Sequence, residues 1–340
     1  MTMRTWILVI SATAAGFTAG VLAAPALRPQ VEASSEDDAG PTKPLPVAAP
    51  ALEVPAWADA HGTDVHGQWA DLTIAGVVQR FRWIEAGTFV MGASDAEVDA
   101  AWRHFQRAMY EAPRSWFEAP QHLVTLTRGF WLADTPCTQQ LWQAVMDDNP
   151  SHFQGMPNRP VEQVSWRDAV AFIDRAAGMS RSRAGLRLPR EAEWEWACRA
   201  GATAALYTGP IEYQSYNVVP AVDAVAWFQG NSGQSTHEVK EKQANPWGLY
   251  DMFGNVWEWC DDRFGPYPAG QAVDPTGAPQ GSQRVSRGGS WADSASSMYA
   301  GHRTGRPEGH RSPSWGFRLA IGPVPARSAG GAGSATGQGF

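Results

Sequence analysis

Apolar and polar positions alternate with period two along Val77 to Met91 (VVQRFRWIEAGTFVM), on both sides of Ala86-Gly87, which predicts two short strands joined at that turn. The stretch from His122 to Leu132 predicts a further strand. After Ser165 the period changes to that of a helix. Ala169, Phe172, Ile173 and Ala176 share one face, Ser165 stands as the N-cap, and Asp168 is placed to close the cap. Pro189-Arg190-Glu191 opens a second helix through Cys198, with proline in the first turn and acids near its positive end. Thr138 to Met146 (TQQLWQAVM) predicts a third. Beyond Ala200 the chain is turns studded with aromatics, so the fold class expected is α+β, an irregular single domain with low regular secondary structure.

The two ends do not carry such patterns. Residues 1–26 pair Arg4 with an apolar run from Trp6 to Ala24 and a small-residue Ala24-Pro25-Ala26 site, the layout of an export signal. The run is also long enough for a membrane anchor, a tether through residues 6–24. Either way the chain is expected to be exported, periplasmic or held at the inner membrane facing the periplasm. Residues 27–68 form a Pro/Ala-rich spacer without apolar periodicity, 69–322 the folded domain, and 323–340 a Gly/Ala/Ser tail too poor in apolar residues to pack. His61, Asp64 and His66 fall in the spacer and are expected in a solvated loop rather than at a metal.

Composition adds three constraints. Seventeen Trp imply an interior packed with aromatic rings, and 34 Gly with 25 Pro imply many turns. A net charge of -7 excludes nucleic acid as a partner, since Arg303, Arg306 and Arg311 are too few for a phosphate-binding stripe. Cys137, Cys198 and Cys260 form no CxxC pair, so a disulfide scaffold is not expected, although an exported domain permits one of the possible pairs. Neither GxSxG nor GxxxxGK[ST] occurs.

Six blocks, read in order, resemble the formylglycine-generating enzyme family, also called the sulfatase-modifying factor domain. They are GTFVMG (Gly87–Gly92), NPSHFQGMPNRPVEQVSW (Asn149–Trp166), LRLPREAEWEWACRAG (Leu186–Gly201), NPWGLYDMFGNVWEWCDD (Asn245–Asp262), RVSRGGSW (Arg284–Trp291) and GFRLA (Gly316–Ala320). The resemblance implies one irregular α+β domain related to C-type lectins. In the oxidising members two cysteines in a C-x4-C arrangement follow the GGS-aromatic turn, bind copper and activate oxygen, converting a substrate cysteine to formylglycine.

This chain departs from that pattern where the chemistry sits. Asp293 and Met298 stand at the two cysteine positions, and no cysteine follows Cys260. A carboxylate and a thioether do not reproduce the soft bis-thiolate site that selects Cu(I), so copper and formylglycine generation are not expected. Ser290 matches the family's active-site serine and Arg306 an arginine lining the substrate cleft. With His302 they make the candidate polar centre, in which Asp293 would act as general base. Against this, Asp293 after a tight turn is by residue type a cap for nearby backbone donors, and Met298 a core filler.

The resemblance also implies a structural calcium held by Asp251, the carbonyls of Gly254 and Val256, and Glu258, a set of oxygen donors suited to a hard cation. Two functions compete. One is an exported accessory module that uses the surviving cleft to bind a peptide or protein partner in the cell envelope. The other is an oxidoreductase-like enzyme of altered chemistry, similar to the periplasmic members that act in pyoverdine maturation.

Overall fold

The computed structural model describes residues 55–106, 118–180, 185–213 and 219–322. The expected export segment 1–26, the first part of the spacer and the tail 323–340 lie outside the described residues. Among the described residues no helix is long and apolar enough to cross a membrane.

The chain opens with β1 (Ala60–Asp64), β2 (Gly67–Ile74), β3 (Val77–Ile84) and β4 (Gly87–Met91), followed by α1 (Asp95–Gln106). Next come β5 (His122–Leu126), β6 (Phe130–Ala133), α2 (Gln139–Met146), α3 (Trp166–Met179), β7 (Leu186–Arg187) and α4 (Glu191–Arg199). After α5 (Pro220–Asp223) only short strands remain: β8 (Ala226–Trp227), β9 (Phe253–Gly254), β10 (Trp257–Arg263) and β11 (Ala272–Val273). The last four are β12 (Gln283–Arg287), β13 (Arg303–Pro307), β14 (Trp315–Gly316) and β15 (Ala320–Ile321). A six-stranded sheet runs β1-β2-β3-β6-β15-β7, a four-stranded one β13-β12-β10-β14, and smaller ones β11-β5-β4 and β8-β9. This is the irregular α+β architecture expected.

The helices start where their caps lie. Ser165 Oγ accepts from Asp168 N at 3.2 Å while Asp168 returns a carboxylate to Ser165 N at 2.8 Å. Thr138 caps α2 through Leu141 N at 3.2 Å. Two strand expectations change. The His122–Leu132 stretch breaks at Thr127-Arg128-Gly129 into β5 and β6, which belong to different sheets. The spacer is shorter than expected, because β1 pairs antiparallel with β2 and Asp64 forms an ion pair with Arg82 at 2.7 Å. His61 and Asp64 therefore lie on a strand and His66 in the turn after it. An edge strand exposed on both faces needs no apolar alternation, so the pattern carries no trace of it. Helix α1 was also unexpected, and it buries Val98 and Ala101.

Helix α4 lies against the four-stranded sheet, and the contact is ionic as well as apolar. Glu195, with no exposed surface, accepts from Arg199 Nε at 2.8 Å, from Gly92 N at 2.9 Å and from the buried Arg287. Glu191 holds Arg303 through both oxygens at 2.6 and 2.7 Å. All three cysteines are buried and free, and burial pushes their thiols up, which leaves them unreactive. The disulfide that export would permit is thus absent among them.

Gly254 shows how closely β8 and β9 pack. Its φ is +72°, and a Cβ there would lie 2.1 Å from Trp227 O. Gly254→Ala is expected to lose about 2–6 kcal/mol, the sum of left-handed strain and overpacking. A urea midpoint within error of the parent protein would contradict this.

Candidate functional site

Strand β12 ends at Arg287, and Gly288 and Gly289 turn the chain with φ of +96° and +75°. Room is the second reason for glycine here: a Cβ on Gly289 would stand 2.7 Å from Met298 Cε. The turn therefore presses on Met298, whose side chain is wholly buried. At this position the thioether is part of the core.

Asp293 is drawn inward by the same turn. Its N–H donates to Ser290 O at 3.1 Å, and its Oδ2 accepts both the Ser290 hydroxyl and Trp257 Nε1, the latter at 2.8 Å. Ser290 Oγ in turn accepts from Ala292 N at 3.3 Å. Ser290 has no exposed surface, so in this arrangement its hydroxyl meets Asp293 and no substrate. The pair is a nucleophile-and-base constellation by residue type and a turn anchor by geometry.

The other two candidates join through indole rings. Trp257 stacks on Trp315 with ring centroids 5.7 Å apart and lies 5.4 Å from the His302 ring. His302 Nδ1 is 3.0 Å from Glu118 Oε1. Arg306 sits over the far indole, 5.3 Å from the Trp315 ring, and donates to Thr304 Oγ1 at 3.2 Å and Gly305 O at 3.0 Å. Glu308, a possible partner for Arg306, instead takes Arg284 at 2.9 Å and Arg167 at 3.4 Å. His310 meets Trp315 edge-on, and burial together with the Arg306 charge lowers its basicity. The structure thus brings Ser290 and Asp293 into contact, sets His302 against the same tryptophan, and places Arg306 one ring further away.

Residues 75–323 match the sulfatase-modifying factor enzyme 1-like domain. The chain belongs to this family. A formylglycine-generating enzyme of Streptomyces coelicolor is 37% identical over 184 residues, covering 50% of this chain and 55% of that enzyme, so the match spans about half of the relative's length. A Paenibacillus barcinonensis protein named chaperone protein LppX is 30% identical over 219 residues, which cover 50% of this chain and 72% of that protein. Among solved structures, Treponema denticola variable protein 1 aligns with a TM-score of 0.62 and 31% identity, over 75% of this chain and 99% of that one.

Within this sulfatase-modifying factor domain the two carboxylates expected to hold calcium are engaged by protein donors. Glu258 is wholly buried, and Arg318 binds both its oxygens at 2.6 Å while Trp194 Nε1 adds a third donor at 2.7 Å. Arg318 also donates to the carbonyls of Ala133 at 3.1 Å, Tyr250 at 2.9 Å and Asp251 at 3.4 Å. These three carbonyls are not the Gly254 and Val256 carbonyls of the expected calcium set, so of the expected donor groups Arg318 meets only the Glu258 carboxylate. Asp251 accepts from Lys240 N and Asn255 Nδ2, and burial pushes its carboxyl up to about 6. Gly254 is required by the approach of Trp227. A calcium ion in this set would therefore have to share Glu258 with Arg318, a partner spanning 60 residues of chain.

Two participants escaped sequence reasoning. Arg318 lies in the GFRLA block and carried a signal, since an arginine between apolar residues near a chain end needs a buried acid. Glu118 lies in a region without periodicity and carried none.

Proposed function

We propose that this chain is an exported, non-oxidising member of the family that works as a peptide- or protein-binding accessory module. The observation that carries the proposal is the commitment of Asp293 and Met298, which stand where the oxidising members carry cysteines. Asp293 is bound to Ser290 and Trp257, and Met298 is core. Neither offers a soft, accessible ligand for the metal that oxygen activation needs. Export rests on Arg4 and the apolar run from Trp6 to Ala24. A protein-handling role is in keeping with the similar protein named a chaperone. Beside the anchored pair, the exposed Ala292 and the half-buried Trp291, His302 and Arg306 supply the mixed aromatic and polar surface that binding uses.

The test is oxygen uptake by the purified protein supplied with Cu(I), a reductant and a cysteine-containing peptide. No uptake above buffer is expected, either from the parent protein or from Asp293→Ala. That variant is expected to lose about 1–3 kcal/mol of stability, because Ser290 and Trp257 are left without their acceptor. Uptake that disappears in Asp293→Ala would establish chemistry at this turn and overturn the proposal. A photo-crosslinker at Ala292 in intact cell envelopes then reports the partner, and an absence of any adduct counts equally against a binding role.

A further inference from the structure

A second polar centre lies on the other face of the four-stranded sheet. Arg303 and Arg306 stand three apart on β13, and Arg303 is buried on the α4 side while Arg306 lies over Trp315. On the α4 side a cavity of about 490 Å³ opens between the N-terminus of α4 and the two loops that flank β11. That volume is within the roughly 300–1,000 Å³ of small-molecule pockets. Its walls are mostly apolar: Met91, Pro266, Tyr267, Pro268, Pro275 and Pro279.

The polar floor is not neutral. Asp262, 4% exposed, uses Oδ2 to accept Glu191 N at 2.8 Å, and among the described residues no donor reaches Oδ1. Charged and titratable groups face it from every side: Glu191 and Glu193 of α4, Asp261 of its own strand, Arg303 of β13 and His122 of β5. Arg303 is already taken by both oxygens of Glu191, and its face lies 4.1 Å from the Tyr267 ring. His122 Nδ1 is 3.2 Å from Pro120 O, and its ring packs 4.7 Å from Tyr267. A buried carboxyl ringed by carboxylates, with no cation paired to it among the described residues, therefore forms the floor of an apolar slot. Burial and the Glu191 charge push its carboxyl up to about 8.

We propose that this cavity binds a primary ammonium on an alkyl stem, the chemistry of a lysine side chain, with Asp262 as the carboxylate that receives it and the proline and tyrosine walls as the sleeve for the stem. The inference does not depend on the binding role proposed for the Asp293 face, since it concerns different residues on the opposite side of the sheet. Binding converts the Asp262 acid to its anion and releases one proton. Affinity should therefore rise about tenfold per pH unit between pH 6 and 8 and level off above, where Asp262 is already ionised and the ammonium still charged.

Calorimetric titration with Nα-acetyl-lysine methylamide tests this, with n-butylamine as the bare stem and Nα-acetyl-norleucine methylamide as the uncharged control. The lysine derivative is expected to bind the full chain, to release about one proton at pH 7 when two buffers of different ionisation enthalpy are compared, and to lose at least tenfold in affinity with Asp262→Asn. Binding of n-butylamine with equal strength would assign the site to small amines rather than to peptides while upholding the ammonium chemistry. Equal binding of the norleucine derivative, undiminished binding by a folded Asp262→Asn protein, or no binding of either amine at millimolar concentration would overturn the proposal.

Discussion

Arg318→Met is expected to lose on the order of 3–5 kcal/mol of stability, because it strands Glu258 as an unpaired charge in the core. Arg318 and Glu258 have 0% and 1% of their side-chain surface exposed, and the pair spans 60 residues of chain. The carbonyls of Ala133, Tyr250 and Asp251 and the indole of Trp194 depend on the same two side chains. Replacing both partners, Glu258→Leu with Arg318→Met, is expected to recover much of the loss, since a well-packed apolar pair often equals a buried ion pair. Urea denaturation of the parent, the single variant and the double variant measures this. A chelator run beside them separates the arginine from a calcium ion. A metal saturating at about a hundred times its Kd would contribute about 2.7 kcal/mol, so its removal would lower the Tm by roughly 5–10 °C. With both Glu258 oxygens taken by Arg318, chelation is expected to leave the Tm unchanged, and a drop of that size would give Glu258 the role of a metal ligand as well.

Asp262→Asn is expected to stabilise the domain at pH 8 while changing it little near pH 4. In the unfolded chain Asp262 ionises near 4, and in the folded one near 8, because burial and the neighbouring Glu191 charge disfavour the anion. Between those values the folded state holds one proton more, so stability falls as pH rises, by about 1.4 kcal/mol per unit. The fall is complete above pH 8 and absent below pH 4, and its sum is on the order of 5 kcal/mol. Asp251, pushed up to about 6, adds a fall of the same sign between pH 4 and 6. Asparagine keeps an oxygen for Glu191 N and removes the titration, so the Asp262 part of the slope should vanish while that of Asp251 and the other buried acids, Asp134 and Glu162, survives. Denaturation curves at pH 5, 6.5 and 8 for both proteins measure the difference, and a gain no larger at pH 8 than at pH 5 would count against a raised Asp262. A ligand ammonium would offset the same cost, which connects this pH dependence to the cavity above Asp262.

The anchored turn gives the functional conclusion its physical basis. An oxidising centre needs its ligands accessible and soft, whereas Ser290, Asp293 and Met298 are held by hydrogen bonds and packing that open only if the turn itself moves. Asp293→Ala should therefore be read first as a change in stability and only then as a change in activity.

Short-range features were legible in the amino-acid order. Ser165 with Asp168, Thr138 before Gln139, and the alternation on each side of Ala86-Gly87 define helices α2 and α3 and strands β3 and β4, because caps and periodicities act over a few residues. The RGGSW turn and the absence of cysteines between it and the end of the matched domain were equally visible, and the expectation that copper is not bound rests on them. Family membership followed from ordered blocks, each a run of neighbours. What only the tertiary structure decided is which charges meet. Arg318 reaches Glu258 across 60 residues, Arg303 reaches Glu191 across 112, and Trp257 reaches Asp293 across 36. Each pairing is set by which groups the folded chain removes from water together, and a buried charge takes whatever partner lies beside it. The same reason hid the Asp262 cavity: β10, β13 and the start of α4 are each ordinary alone, and the unpaired carboxyl exists only where they converge.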